Sequence, residues 1–288
     1  MPGPTADLMP GERVLAVGEV ELGVQSFGDP AHPAMLLIMG GAASMLHWDE
    51  AFCEQLAAAG RYVIRYDHRD TGRSTTGTPG EPTYTGADLA ADAARLLGVL
   101  GVERAHLVGM SMGAALAVQV ALQQPELVAT LTLIAFTSGE NAPDGAPLPA
   151  MSEELAAFFA GDGPVPEDPA EALVEGERPF AAPGAFDEDA ARERARRIVD
   201  RSHDVAAGDN HFAAVEGSMS NAPLASLRLP TLVVHGSADP LFPLPHGEAV
   251  AAAIPGAELL VLEGVGHEAP PPSTYGVAVP RLIAHTAR

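Results

Sequence analysis

Residues 106–114 read HLVGMSMGA, and the junction inside this stretch decides the fold. The apolar run 106–110 predicts a buried strand, and 111–124 follows as an alanine-rich helix stopped by Pro125. Between them Gly109-Met110-Ser111-Met112-Gly113 fits the pattern G-x-S-x-G. A strand-to-helix turn this tight forces its central residue into strained backbone geometry, so the neighbours must be small. The serine then stands exposed at the strand tip, above a helix N-terminus whose dipole and free N–H groups favour developing negative charge.

Outward from this junction the strand-then-helix rhythm repeats. Residues 14–17 and 20–27 predict two short strands around a turn, an antiparallel hairpin. Residues 34–39 (AMLLIM) form a continuous apolar run ending in Gly40-Gly41, as expected of a buried parallel strand. A helical pattern spans 48–59, and YVIRY at 62–66 predicts another strand, closed by the polar turn DHRDTGRS at 67–74. Residues 89–100 make an amphipathic helix and 128–136 a further strand. Such alternation predicts an α/β fold, a mostly parallel central sheet with helices on both faces. It breaks at Thr137. From there to Pro223 no strand pattern is visible, and helical patches fall at 152–160, 188–200 and 211–218. Alternation resumes with a strand at 231–235, a helix at 245–253, a strand at 259–262 and a closing helix at 275–285. The expected organisation is a core domain of residues 1–136 and 224–288, interrupted by a helical cap of residues 137–223. The cap would lie over the C-terminal strand edges, where sheets of this kind bind ligands.

Composition narrows the chemistry. The chain has 288 residues, 47% of them apolar, which is ample for a large core. The formal net charge is −22, and all sixteen basic residues are arginine. An acidic surface of this size disfavours nucleic acid and anionic membranes as partners. The absence of lysine excludes a Schiff base, a pyridoxal-phosphate anchor and a phosphate-binding-loop lysine. The single cysteine, Cys53, cannot form an internal disulfide, which fits a reducing compartment, and its helical setting reads as packing. The first 13 residues lack the basic start and apolar stretch of a signal peptide, and no apolar run reaches membrane-spanning length. The expected location is the cytoplasm.

A serine hydroxyl is a poor nucleophile until a histidine takes its proton, and that histidine needs an acid to hold its tautomer. With the serine on an elbow of this kind, the expected chain order is Ser, then Asp or Glu, then His. PTLVVHGSADP at 230–240 supplies a strand followed by a turn bearing Asp239, whose rival reading is an ordinary turn aspartate before proline. Gly264-Val265-Gly266-His267 follows the last strand, and its glycines let the loop carry His267 back over the sheet edge. Among ten histidines, only this one occupies a glycine-rich turn after the final strand. The candidate catalytic residues are therefore Ser111, Asp239 and His267. Acyl transfer also needs donors for an oxyanion. The backbone N–H of Met112 is one; the second is assigned to Gly41, where Gly40-Gly41 permit close backbone approach.

Other residues are weaker candidates. His47, His211 and His246 show no metal-ligand spacing, so a zinc site is not expected. His211 reads as solvated or as packing the cap, with a substrate contact as the alternative. The DHRDTGRS turn reads as structural, knitting loops together. Phe158, Phe159, Phe180, Phe186 and Phe212 either line an apolar pocket or pack the cap, and the sequence leaves both readings open.

With these motifs in place, the chain resembles the α/β-hydrolase superfamily over nearly its whole length. More narrowly it looks like the methylesterases of anthracycline polyketides, the aclacinomycin methylesterase type. The resemblance is carried by LLIMGG at 36–41, RYDHRDTGRST at 65–75, HLVGMSMGA at 106–114, PTLVVHGSADP at 230–240 and GVGH at 264–267. It is weakest at 139–221, the segment that would shape a pocket. The resemblance implies the same triad, Ser111, Asp239 and His267, and the same oxyanion donors, Gly41 and Met112. The expected function is hydrolysis of a carboxylic ester, such as a methyl ester or lactone on a bulky apolar or polyketide-like small molecule, with no metal or organic cofactor. Alternatives are a cofactor-free perhydrolase or haloperoxidase-type enzyme with a similar triad, and a non-catalytic ligand-binding member of the fold. Epoxide hydrolases and haloalkane dehalogenases are disfavoured, because their nucleophile is an aspartate and the elbow here carries serine.

Overall fold

The sheet order follows from how the apolar runs pair. In the computed structural model, which describes residues 8–161, 166–215 and 224–287, eight strands form one sheet. They are β1 (Glu12–Val17), β2 (Val20–Phe27), β3 (Ala34–Ile38), β4 (Tyr62–Tyr66), β5 (Ala105–Met110), β6 (Val128–Ile134), β7 (Thr231–Gly236) and β8 (Glu258–Leu262). Their order across the sheet is β1-β2-β4-β3-β5-β6-β7-β8. β1 and β2 form the antiparallel hairpin and β2 runs antiparallel to β4; every later pairing is parallel.

Alternate side chains on each strand feed two cores. Leu36 and Ile38 of β3, Ile64 of β4, Leu107 of β5 and Val233 of β7 point to one face. There they meet helices α2 (Gly86–Val99), α3 (Met112–Gln123) and α8 (Pro245–Ala253) through Leu89, Leu116 and Val250. Met35 and Leu37, Val63, Val108 and Leu232 point to the other face. Helices α1 (Glu50–Ala58) and α9 (Tyr275–His285) cover that face, with Phe52 and Tyr275 rings 5.3 Å apart. Leu36 and Leu37 are adjacent, apolar and both fully buried, which only a sheet covered on both sides allows. Each such side chain contributes roughly 1.5–3 kcal/mol of burial. Cys53 lies in this second core as a packing residue, and burial pushes its thiol up to about 12.

Between β6 and β7 the described residues hold helices α4 (Glu153–Phe159), α5 (Pro169–Glu177), α6 (Glu188–Arg201) and α7 (Asn210–Val215). Among the described residues of this segment the β pairing is an isolated bridge, Asn141 to Pro147. Helix α5 was not foreseen in the sequence, although Asp168 accepts from Ala170 N–H as its cap and Pro169 occupies the first turn. Residues 216–218 of the helical patch expected at 211–218, and the expected boundary at Pro223, lie outside the described residues, as do residues 1–7.

This helical segment is pinned to the sheet by charges that the sequence hides. Arg201 of α6 is buried against Asp67, 2.7 Å away, and against Glu12 at the start of β1. Asp67 also accepts from Ser44 Oγ and Met45 N–H at 3.0 Å, and its guanidinium and N–H partners outweigh burial, holding its carboxyl below the usual range. The DHRDTGRS turn is thus a hub: Asp70 accepts from Tyr84 Oη, Gly77 N–H and Asn210 of α7. Among the described residues, no helix is long and apolar enough to cross a membrane.

Candidate active site

β3 lies between β4 and β5, so the chain leaves β3 for one side and returns on the other. A crevice opens at such a reversal beyond the carboxyl ends of the strands, and ligands bind there. The two loops flanking it carry Gly40-Gly41, after β3, and Ser111, after β5.

Ser111 has φ 53° and ψ −117°, a left-handed conformation that side chains with a Cβ rarely adopt. The glycines of the pentapeptide explain how it is tolerated. A Cβ on Gly109 would collide with the Gly113 carbonyl, and one on Gly113 with the Ile38 carbonyl of β3. Only glycine lets β5, the turn and α3 approach so closely. Ser111 N–H donates to Ile134 O and Ala135 N–H to Val234 O, which ties the ends of β5, β6 and β7 into one row.

Asp239 and His267 meet at the far end of that row. His267 Nδ1 donates to Asp239 Oδ2 at 2.9 Å, while Asp239 Oδ1 accepts from Leu241 and Phe242 N–H at 2.9 and 2.8 Å. This bonding fixes the tautomer with the proton on Nδ1 and leaves Nε2 as the basic nitrogen. The two loops are laced together: Ala238 N–H donates to Val265 O and Gly264 N–H to Ser237 Oγ. A Cβ on Gly236, the last residue of β7, or on Gly266, in the loop after β8, would strike neighbouring backbone, so glycine at these two positions permits the contact. His267 N–H donates to Phe180 O at 2.7 Å, and the rings of Phe180 and Phe242 lie 5.9 and 5.3 Å from the imidazole. Both residues of the pair are buried. No hydrogen bond joins Ser111 Oγ to His267 Nε2 in this structure; such bonds are often long before substrate arrives and tighten in the reacting complex.

The oxyanion candidates also fall here. A Cβ built on Gly40 would lie 3.5 Å from Ser111 Cβ, and one on Gly41 3.6 Å from Met112 Sδ. The loop after β3 therefore approaches the elbow closely. Among the described residues, neither the Gly41 nor the Met112 N–H has an acceptor.

The weaker histidines separate clearly. His47 contacts Ser44 O and Glu177, joining the loop after β3 to α5, and His246 contacts Thr137 Oγ1 and Pro149 O. His211 is fully buried rather than solvated, with both ring nitrogens bonded to backbone. Of the five phenylalanines, Phe186 packs inside the helical segment beneath the Arg178 guanidinium. Phe180 faces His267, whereas Phe158, Phe159 and Phe212 are exposed. The Phe212 ring comes within 3.2 Å of the Cβ position of Gly41, so this exposed ring flanks the loop after β3. A groove of about 530 Å3 lined by Ala142, Pro147, Pro149, Pro245 and Ala249 lies to one side and includes none of the catalytic candidates. Among the described residues, no three His, Cys, Asp or Glu side chains are grouped to hold a metal ion.

Two buried imidazoles carry a pH dependence. Burial pushes His68 down to about 3 and His106 down to about 4, from 6.5. Below about pH 6.5 the unfolded chain binds protons that the folded chain does not, so this contribution to stability falls as the pH falls. The urea midpoint of H106N is expected to drop less than the wild type's between about pH 7.5 and about pH 5. An equal drop in both would show that His106 is already charged in the folded chain.

Residues 33–271 match the family profile described as alpha/beta hydrolase fold. Among curated proteins the chain is similar to rhodomycin D methylesterase DauP of Streptomyces sp. (strain C5), 33% identical over 95% of this chain and 97% of the relative. It is equally similar to rhodomycin D methylesterase DnrP of Streptomyces peucetius, with 33% identity and the same coverage. Among solved structures it is similar to 2-hydroxy-6-oxo-6-phenylhexa-2,4-dienoate hydrolase from Rhodococcus sp. strain RHA1. That match has 25% identity, covers 96% of this chain and 98% of the other, and has a TM-score of 0.71.

Proposed function

The chain belongs to the α/β-hydrolase fold family, and from that premise we propose that it hydrolyses carboxylic esters with Ser111 as nucleophile, His267 as base and Asp239 as the acid that orients it. The class of reaction rests on the family and on methylesterase relatives that match almost end to end. The single observation that carries the residue roles is the strained Ser111 on the same sheet edge as the hydrogen-bonded Asp239–His267 pair.

Ser111 Oγ attacks the ester carbonyl as His267 Nε2 takes its proton, and Asp239 stabilises the imidazolium. The N–H groups of Gly41 and Met112 receive the carbonyl oxygen as it becomes anionic. His267 then returns the proton to the leaving alcohol, and the acyl group remains on Ser111. A water molecule, deprotonated by His267, attacks the acyl-enzyme and releases the carboxylic acid. Every proton has a carrier on this chain, so the sequence of steps requires neither metal nor organic cofactor.

For the substrate, a methyl ester or lactone on a bulky apolar, polyketide-like small molecule is the best-supported reading. Two relatives carry the name rhodomycin D methylesterase, and the exposed rings of Phe158, Phe159 and Phe212 offer apolar surface, Phe212 beside Gly41. In this reading residues 137–223 act as the cap that shapes the pocket. The net charge of −22 argues against nucleic acid and anionic membranes as partners, and the reading places the enzyme in the cytoplasm.

The test is labelling with a fluorophosphonate, read by peptide mass spectrometry, alongside turnover of p-nitrophenyl esters of rising acyl length. The expected result is one adduct, on Ser111, with turnover lost in proportion. Folded protein that turns over esters without an adduct on Ser111 would overturn the assignment of the nucleophile. Folded protein with neither adduct nor turnover, yet binding an apolar ligand tightly, would favour the non-catalytic alternative.

A further inference from the structure

Of the buried histidines that the catalytic steps above do not use, His68 and His211 hold the loop between β3 and α1. His68, from the turn after β4, donates from Nε2 to Met39 O at 3.0 Å. His211, from α7, accepts the Ala42 N–H on Nδ1 at 2.9 Å and donates from Nε2 to Arg69 O at 2.6 Å. The rings stand edge to face, 5.6 Å apart. They hold the carbonyl just before Gly40 and the N–H just after Gly41.

That loop needs external support. Its residues 39–44 belong to no strand or helix, contain two successive glycines, and include Ala42 at φ 58°, where a Cβ is disfavoured. Gly208, in the turn before α7, presses on Ala42, since a Cβ there would lie 3.1 Å from Ala42 O. The Ala42 N–H is already taken by His211, so it cannot serve an oxyanion; the Gly41 N–H has no acceptor among the described residues.

We propose that His68 and His211 are positioning residues that clamp Met39 C=O and Ala42 N–H, and so aim the Gly41 N–H at the carbonyl oxygen attacked by Ser111. The proposal rests on the roles given above to Ser111 and Gly41. It requires both imidazoles neutral, His211 with its proton on Nε2. Burial lowers the pKa of each and favours that form. Because His211 comes from the helical segment between β6 and β7, the oxyanion loop takes its geometry from the seating of that segment. Asn210 plugs the same helix into Asp70 and the Gly80 N–H.

The experiment compares H211N, H211Q and H211L by kcat, KM and inhibition by a trifluoromethyl ketone, which adds a serine to form a tetrahedral oxyanion. Asparagine places an acceptor where Nδ1 stands; glutamine places its amide further out, and leucine has none. H211L and H211Q are expected to lose about 10- to 100-fold in kcat, less than removal of a donor itself, with KM nearly unchanged. Trifluoromethyl ketone affinity should weaken by the same factor, and H211N should recover most of both. H68Q, which keeps a donor near the position of Nε2, should likewise outperform H68L. If H211L does not fold, the comparison of H211N with H211Q decides. Equal behaviour of those two, or unchanged kcat and inhibitor affinity in a folded H211L, would overturn the clamp while a Ser111 adduct on wild type leaves the esterase reading standing. No Ser111 adduct on active wild type would overturn both.

Discussion

Replacing Ser111 with alanine is expected to lower kcat by about four to six orders of magnitude. The effect is this large because the hydroxyl is the atom that becomes covalently bonded, and no other side chain at the elbow offers a nucleophile. What activity survives comes from substrate binding and the oxyanion donors alone. Stability should change little. Ser111 makes no side-chain capping bond to α3, its left-handed backbone is set by the glycines around it, and alanine bears the same Cβ. Thermal unfolding of S111A should therefore match wild type within about 0.5 kcal/mol, the usual range for changes that remove no buried contact. Retention of a tenth or more of wild-type kcat would sink the assignment.

The second large effect is expected from Asp239→Asn, about four orders of magnitude in kcat, the size known for the equivalent change in a serine protease. The geometry gives the reason. One carboxylate oxygen, Oδ1, accepts two backbone N–H groups, and the other, Oδ2, accepts the His267 Nδ1 proton. Asparagine can keep its oxygen on the two N–H groups only by turning its NH2 towards His267. An N–H facing Nδ1 forces the imidazole proton onto Nε2, and the base that Ser111 needs disappears. KM should move little, and fluorophosphonate labelling of Ser111 should slow in parallel with kcat. Undiminished labelling in D239N would assign the orienting role to another acid.

Much of this was legible in the chain itself. The elbow was readable because its requirement is local: glycines two residues to either side of one serine, between an apolar strand and a helix. The positions of Asp239 and His267 were readable because in a parallel sheet every βα loop emerges on the same edge, so residues after successive strands converge whatever lies between them. Element boundaries drifted by a few residues at the ends. The second helix begins at Gly86 rather than at residue 89, because Thr85 and Asp88 form a capping box that draws its start forward. Helix α5 escaped notice because its nine residues show little periodicity, and its cap and proline were the only signals.

Periodicity and glycine placement determined the α/β fold, the order of its elements and the three residues expected to react. These are properties of neighbours in sequence, or of repeated units that stack in one direction. The tertiary structure alone decided which histidines are structural, that Arg201 is buried against Asp67 and Glu12, and that His211 holds the Ala42 N–H. Those partners lie 134 to 189 residues apart in the chain, so no local pattern marks them. A buried polar group must find its partner wherever the packing brings one, and that becomes visible only when both ends are in place.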